Sequence, residues 1–296
     1  MKVIRSAFPG FCMGVRQAVE IALRESAEAG GQVYTLGPLI HNPVVLEEMK
    51  KRGIGILEEN ELVPMELVPP LPQNSCVIIR AHGVSPLVEE KLVRLGAHVL
   101  DATCPHVKES QKKARSFAEK GYGIFLAGEE KHAEIAGIRG YIEAGSGASF
   151  CFVVGSPAEA EAAAELCRGK GDAGTALLGQ TTISPEEYRA IGEVITRYFP
   201  GLEIVNTICG AAAKRQAALR ELCGRVDAVI IAGGRESANT RRLLSLALEL
   251  GKPAWLVERP EELPREIGAY GTVGLSAGAS TPDSLIAVIE EVLGAL

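Results

Sequence analysis

The sequence contains no run of about 18 consecutive apolar residues, the length a membrane-spanning helix requires. Its first residues, Met-Lys-Val-Ile-Arg, lack the apolar core of a secretory signal. Aromatic residues make up only 5%, with a single Trp, so a base-stacking surface is missing. A net charge of −6 and the scatter of Lys and Arg leave out the basic footprint of a nucleic-acid binder. The phosphate-binding pattern G-x-x-x-x-G-K-[ST] does not occur, and Gly233-Gly234 after a strand is too little to mark a nucleotide site. No Cys-x-x-Cys pair is present, which removes the short ligand spacing of structural zinc modules. Seven cysteines without a secretory signal point to a reducing compartment in which disulfides do not form. What remains is a cytoplasmic protein acting on a small molecule, with neither nucleic acid nor membrane as partner.

What the sequence does have is repetition. Its 296 residues suggest about two domains by length alone, but three kinds of segment recur three times in the same order. The first is a short apolar strand, a cysteine and an amphipathic helix. Val3-Ile4-Arg5 leads to Cys12, Val99-Leu100-Asp101 to Cys104, and Ile204-Val205 to Cys209. Each cysteine is followed by apolar residues at helical spacing, such as Val15, Ala18, Val19 and Ala22. The second segment is a strand and then a polar cluster: His41-Asn42-Pro43, His132-Ala133-Glu134 and Ser237-Ala238-Asn239. These clusters begin 29, 28 and 28 residues after their cysteines. The third is a strand, a small polar loop and a helix opened by proline. Ser85-Pro86, Ser184-Pro185 and Thr281-Pro282 read as an N-cap followed by the first helical position.

Alternating strands and helices imply an α/β fold with mostly parallel, helix-covered sheets. The expected architecture is three α/β domains related by pseudo-three-fold symmetry: residues 1–100, 101–205 and 206–296, with the C-terminal tail packing on the first. The loops just named all follow strands, where ligands of open α/β sheets bind, so a three-fold arrangement would let them line one central cleft. No Ser/Gly/Pro-rich linker separates the repeats, which argues against independent modules.

A thiolate is favoured at a helix N-terminus, and Cys12, Cys104 and Cys209 all have that setting. Three such thiolates meeting at one point would suit an iron–sulfur cluster with one open iron, a Lewis acid towards a substrate oxygen. Zinc is the competing metal. Cys76 and Cys151 open apolar strands, and Cys167 and Cys223 lie on helix patterns, so these four read as core residues. His98 and His106 fall outside the repeated loops and read as structural.

The repeated loops supply His41, His82, His132, Glu134, Thr181, Ser237, Asn239 and Ser280. This set is rich in hydrogen-bond donors, holds one carboxylate, and lies near predicted helix N-termini, which accept phosphate. Each residue alone could be a helix cap or turn; together they suit an anionic ligand such as a phosphate or diphosphate. Glu134, held near an anion, would be the natural proton donor.

At Gly10-Phe11-Cys12-Met13-Gly14-Val15, Gly37-Pro38-Leu39-Ile40-His41-Asn42, Ala81-His82-Gly83-Val84-Ser85 and Asp101-Ala102-Thr103-Cys104-Pro105, the chain resembles the 4-hydroxy-3-methylbut-2-enyl diphosphate reductases. His132-Ala133-Glu134, Gln180-Thr181-Thr182, Thr207-Ile208-Cys209 and Ala277-Gly278-Ala279-Ser280 extend the likeness along essentially the whole chain. The resemblance implies a trefoil-like monomer around one [4Fe–4S] cluster, with Cys12, Cys104 and Cys209 as its three protein ligands and one iron open. It implies that His41, His82, His132, Thr181, Ser237, Ala238, Asn239 and Ser280 surround an allylic diphosphate. Glu134, Thr181 and His132 would then serve the chemistry, with Glu134 as the acid. The implied reaction removes the allylic hydroxyl with two electrons from a small carrier, ferredoxin or flavodoxin, to give isopentenyl and dimethylallyl diphosphate. A non-catalytic iron–sulfur sensor of an anionic metabolite is the alternative. The chain departs from the family pattern at Ala238, where Ser is usual, at Glu236, where a polar amide is common, and at Ala212, where Thr often follows the third cysteine. Ala238 could offer phosphate only its backbone N–H, and losing one neutral hydrogen bond is worth about 0.5–1.5 kcal/mol.

Overall fold

The computed structural model describes residues 1–58 and 71–296. The chain divides into two compact units: one of residues 1–26, 38–54 and 210–296, the other of residues 27–37 and 55–209.

The second unit holds two four-stranded sheets. The first runs β3 (Gly55–Leu57), β2 (Val33–Leu36), β4 (Cys76–Ile79), β5 (His98–Asp101), and the other β7 (Phe150–Val154), β6 (Gly123–Ala127), β8 (Thr175–Gly179), β9 (Glu203–Ile204). The first unit holds the third, in the order β11 (Ala254–Val257), β10 (Ala228–Ala232), β12 (Thr272–Ala277), β1 (Lys2–Arg5). Every pairing in these sheets is parallel. The order rule is the same three times, so the repeat seen in the sequence is a structural one. In each sheet one edge strand, β1, β5 or β9, leads directly towards a repeat cysteine. The opposite edge strand, β3, β7 or β11, is a fourth strand beyond the three repeated segments. β7 and β11 are half-buried along nearly their whole length with no one-sided alternation, and β3 is only three residues long.

Parallel sheets need apolar residues on both faces because helices cover both. The sheet around β6 shows this directly. Phe125, Ala127 and Leu177 pack with residues of α6 (Pro157–Leu166) and α7 (Pro185–Tyr198). The intervening Ile124, Leu126, Ala176 and Leu178 pack with α4 (Pro105–Glu119) and α5 (Ala133–Gly145). In the sheet of the first unit, Ile230 and Leu275 face α10 (Asp283–Ala295), while Val229 and Ile231 face α8 (Gly210–Cys223) and α9 (Ala238–Glu249). Phe125 is fully buried, with ring centroids 5.3 Å from Phe150 and 5.7 Å from Phe199. Phe125→Ala is expected to lower unfolding free energy by about 3–5 kcal/mol, read from urea denaturation; a loss under about 1 kcal/mol would mean the site collapses around the void.

The proline-opened helices begin largely as the sequence indicates. Ser85 Oγ caps α3 (Pro86–Arg94) through the N–H of Val88, and Ser184 Oγ caps α7 through that of Glu187. Thr281 departs from this pattern. Its hydroxyl donates to the Ala232 carbonyl at 3.0 Å, and α10 starts one residue later with Pro282 at its N-cap. The buried carbonyl at the end of β10 takes the hydroxyl that would otherwise cap the helix. Among the described residues no helix is long and apolar enough to cross a membrane.

Candidate active site

Cys12, Cys104 and Cys209 each immediately precede a helix: α1 (Met13–Glu28), α4 and α8. Their backbones are held in one common way. The N–H of Cys12 donates to Ala279 O at 3.1 Å, that of Cys104 to Ala81 O at 3.0 Å, and that of Cys209 to Thr181 O at 2.9 Å. Ala279, Ala81 and Thr181 each lie two residues past a central strand, β12, β4 and β8 respectively. Each cysteine is thus tied to the same point of its sheet, in a register the sequence spacing does not display. None of the three is in a disulfide and all are partly exposed, and Cys12 Sγ accepts the Val15 N–H at 3.5 Å.

The other cysteines differ. Cys76, Cys167 and Cys223 are buried, and burial pushes the thiols of Cys167 and Cys223 up. Burial drives the Cys151 thiol up to about 11. Such cysteines behave as small core hydrophobes. His98 and His106 are exposed, on β5 and in the first turn of α4.

In the second unit, one carboxylate organises the loops. Glu134, in the first turn of α5, is 1% exposed. Its Oε1 accepts the Thr181 N–H at 2.7 Å and its Oε2 the Thr181 hydroxyl at 2.9 Å. Because Thr181 O also receives the Cys209 N–H, a single residue connects the acid to the third cysteine. The N–H of Glu134 donates to His132 Nδ1 at 3.2 Å, which makes His132 the N-cap of α5. With Nδ1 accepting, the neutral imidazole carries its proton on Nε2. The His82 ring lies 5.3 Å from that of His132, edge to face, and its predecessor Ala81 holds Cys104. Desolvation raises the Glu134 pKa from the ordinary 4.5 to about 7, against the two bonds from Thr181 that lower it.

That shift has a consequence for stability. The folded pKa lies above the unfolded value, so the contribution is complete below pH 4.5 and is lost as pH rises through about 7. The full swing is about 3 kcal/mol. Urea midpoints of the wild type are therefore expected to fall with rising pH relative to Glu134→Gln, with the gap opening across this window; parallel curves would contradict the assignment.

In the first unit, a second polar hub forms around the N-termini of α2 (Pro43–Lys51) and α9. Ser280 Oγ donates to His41 O at 3.3 Å. Gly234 lies so close to this loop that a Cβ there would come within 2.0 Å of His41 O, which only glycine permits. Ser237 Oγ caps α9 by accepting the Thr240 N–H at 3.4 Å, leaving its own proton to donate outward. Ala238 and Asn239 form the first turn, and the buried Asn239 Nδ2 has no acceptor among the described residues. Glu236 is exposed and Ala212 is buried within α8.

Aligned by distance from the cysteine, His41 matches His132. In the structure the cap of α2 is Asn42, not His41, because this loop is one residue longer before its helix. Three further residues hold the site loops: Arg215 had no mark in the sequence, while Thr207 and Gln180 stood in motifs without a role of their own. Thr207 Oγ1 accepts the Gly179 N–H at 2.7 Å and donates to Gly179 O at 2.8 Å, pinning the approach to Cys209. The buried Arg215 donates to Gly10 O at 2.5 Å, fixing the approach to Cys12. Gln180 accepts the Glu129 N–H at 3.0 Å. Each contact joins residues far apart in sequence, so no local spacing marks it.

The features are three cysteines at equivalent helix starts, a buried acid joined through Thr181 to the backbone of one of them, and a donor-rich hub built on helix N-termini. The chain is 45% identical to the 4-hydroxy-3-methylbut-2-enyl diphosphate reductase of Treponema pallidum, covering 99% of this chain and 84% of that one. It is 40% identical to the enzyme of the same name from Treponema denticola, over 99% of both. A solved (E)-4-hydroxy-3-methyl-but-2-enyl diphosphate reductase, the terminal enzyme of the non-mevalonate pathway, superposes with a TM-score of 0.70 at 34% identity, covering all of both chains. The Plasmodium falciparum E-1-hydroxy-2-methyl-but-2-enyl-4-diphosphate reductase shares the fold, with a TM-score of 0.86 at 24% identity over 98% of this chain and 87% of that one. The family model described as LytB protein matches residues 3–294. With the cysteine register, the buried acid and these likenesses in agreement from end to end, the chain belongs to the LytB family.

Proposed function

We propose that this protein reduces (E)-4-hydroxy-3-methylbut-2-enyl diphosphate to isopentenyl and dimethylallyl diphosphate. The observation that carries the reading is the link Glu134–Thr181–Cys209, which couples a buried acid with a pKa of about 7 to a metal-ligand candidate. The overall change consumes two electrons and two protons, breaks the allylic C–O bond, forms a C–H bond and releases water.

The residues suit an iron–sulfur cofactor. Cys12, Cys104 and Cys209 are in no disulfide, are partly exposed, and each directly precedes a helix. We assign them as the three protein ligands of a [4Fe–4S] cluster. When bound, that cluster supplies the electrons and, at an iron without a protein ligand, a Lewis acid for the allylic oxygen. The electrons come to the protein from a small carrier, ferredoxin or flavodoxin, and the protein acts as a cytoplasmic monomer.

The chain's own residues do the rest. Thr181 N–H is fixed on Glu134 Oε1 and cannot reverse, so the acid's proton resides on Oε2. When Oε2 is protonated it donates to Thr181 Oγ1, and the threonine hydroxyl proton turns towards the substrate. This relay delivers the proton that leaves with oxygen as water. Near neutral pH about half of the molecules carry the proton, and a dianionic diphosphate raises that fraction. His132 presents Nε2–H and His82 stands beside it, so both orient the substrate. Ser237, Asn239, Ser280, His41 and the N–H groups of the first turn of α9, Ala238 included, take the diphosphate.

The test is anaerobic turnover of the allylic diphosphate with a strong chemical reductant, after iron and sulfide have been measured on the same sample. Both five-carbon diphosphates are expected as products. A sample with full iron and sulfide that yields neither would refute the reading.

A further inference from the structure

Asn42 does more than cap a helix. Its Oδ1 accepts the N–H groups of Val44 at 3.1 Å and Val45 at 3.3 Å, which starts α2. A carboxamide has its oxygen and its NH2 on opposite edges. With the oxygen committed to α2, Nδ2 is presented away from that helix. The residue is 2% exposed, and Nδ2 has no acceptor among the described residues. A buried donor left unmet is expensive. Aspartate would cap the helix equally well without one, so capping accounts for the oxygen of Asn42 and not for its amide.

The surroundings indicate what the amide awaits. Asn239, 6% exposed in the first turn of α9, has its Nδ2 in the same condition. Both asparagines lie in the first unit's polar hub: Gly234 packs on His41 O and Asn42 Cα, Ser280 holds His41 O, and Ser237 caps α9. Two buried amides without acceptors, one of them in the first turn of α9, call for a ligand with several negatively charged oxygens.

We propose that Asn42 is a further diphosphate-binding residue, its Nδ2 donating to a phosphate oxygen while its Oδ1 holds α2. The proposal rests on the reductase reading for the identity of the substrate, and on the geometry of the first unit for the anion.

Asn42→Asp separates the two roles, because it keeps the capping oxygen and replaces the NH2 with a second, negative oxygen. Three quantities are read on the full chain, purified anaerobically: the melting temperature, the affinity for inorganic diphosphate by calorimetry, and KM and kcat for the allylic diphosphate. Asn42→Asp is expected to melt at or above the wild-type temperature, to bind inorganic diphosphate more weakly by about tenfold or more, and to raise KM more than it lowers kcat. Asn42→Ser, which caps without adding charge, is expected to lose several-fold in diphosphate affinity, and it decides the matter if the aspartate variant does not fold. A folded Asn42→Asp, or in its place a folded Asn42→Ser, that binds inorganic diphosphate as tightly as the wild type overturns the proposal. So does a wild type that binds none. A wild type that binds diphosphate but does not turn over the allylic substrate refutes the reductase reading instead, and Asn42 is then judged by affinity alone.

Discussion

Glu134→Gln is expected to reduce turnover by about 10²–10⁴-fold, the usual contribution of a positioned general acid, while diphosphate affinity stays within a few-fold of wild type. Glutamine keeps an oxygen to accept the Thr181 N–H, so the loop geometry held by the 2.7 Å contact survives. What is lost is the exchangeable proton on Oε2. The same variant is expected to be more stable than wild type above pH 7, since a buried carboxylate has been removed. Lower activity together with higher stability distinguishes a lost proton donor from a damaged fold. A sensor that merely binds an anionic metabolite has no use for this proton, and Glu134→Gln would leave its biological activity intact.

Single substitutions of Cys12, Cys104 or Cys209 by serine are expected to abolish turnover and to deplete iron and sulfide in anaerobically prepared protein. Serine preserves the backbone N–H bonds to Ala279, Ala81 and Thr181, so loop positions are retained and the deficit is one of ligation. Because the thiolates act as a set, a second substitution should add little to the first. Alanine at Cys76, Cys151, Cys167 or Cys223 is expected to leave iron content unchanged, since these side chains are core residues or are held protonated by burial. Iron retained in full by a serine variant of the first group would remove that cysteine from the ligand set. Zinc in place of iron in the wild type would remove the redox reading as a whole.

The repeat was legible because it is written in local patterns. A cysteine between a strand and a helix, and a Ser-Pro pair opening α3 or α7, are each specified by a few consecutive residues. The fourth strand of each sheet was not among the repeated segments: β3 is only three residues long, and β7 and β11 are half-buried along nearly their whole length with no alternation. Thr281 misleads for a different reason: its hydroxyl serves a carbonyl 49 residues away. At the site, Glu134 and Thr181 could be named from their loops, but their pairing spans 47 residues and appears only in three dimensions. His132, a candidate site residue, proves to be a helix cap, and Asn42 takes the capping place that spacing would have given to His41. Arg215 was silent in the sequence and Thr207 stood in a motif without a role, because a buried Arg or Thr carries no periodic signature; their partners, Gly10 O and the Gly179 backbone at the end of β8, are distant in sequence.

The central claim is that Glu134, protonated through burial, supplies the proton that leaves with the allylic oxygen. It is tested most directly by the pH dependence of single turnover in chemically reduced protein already loaded with substrate. The account predicts a rate that is level on the acid side and falls by about tenfold per pH unit once pH exceeds the acid's pKa, which is about 7 in the free protein and higher beside a bound diphosphate. The fall is absent from the residual activity of Glu134→Gln. A wild-type rate that rises with pH across this range, or that matches the glutamine variant's profile, would contradict it.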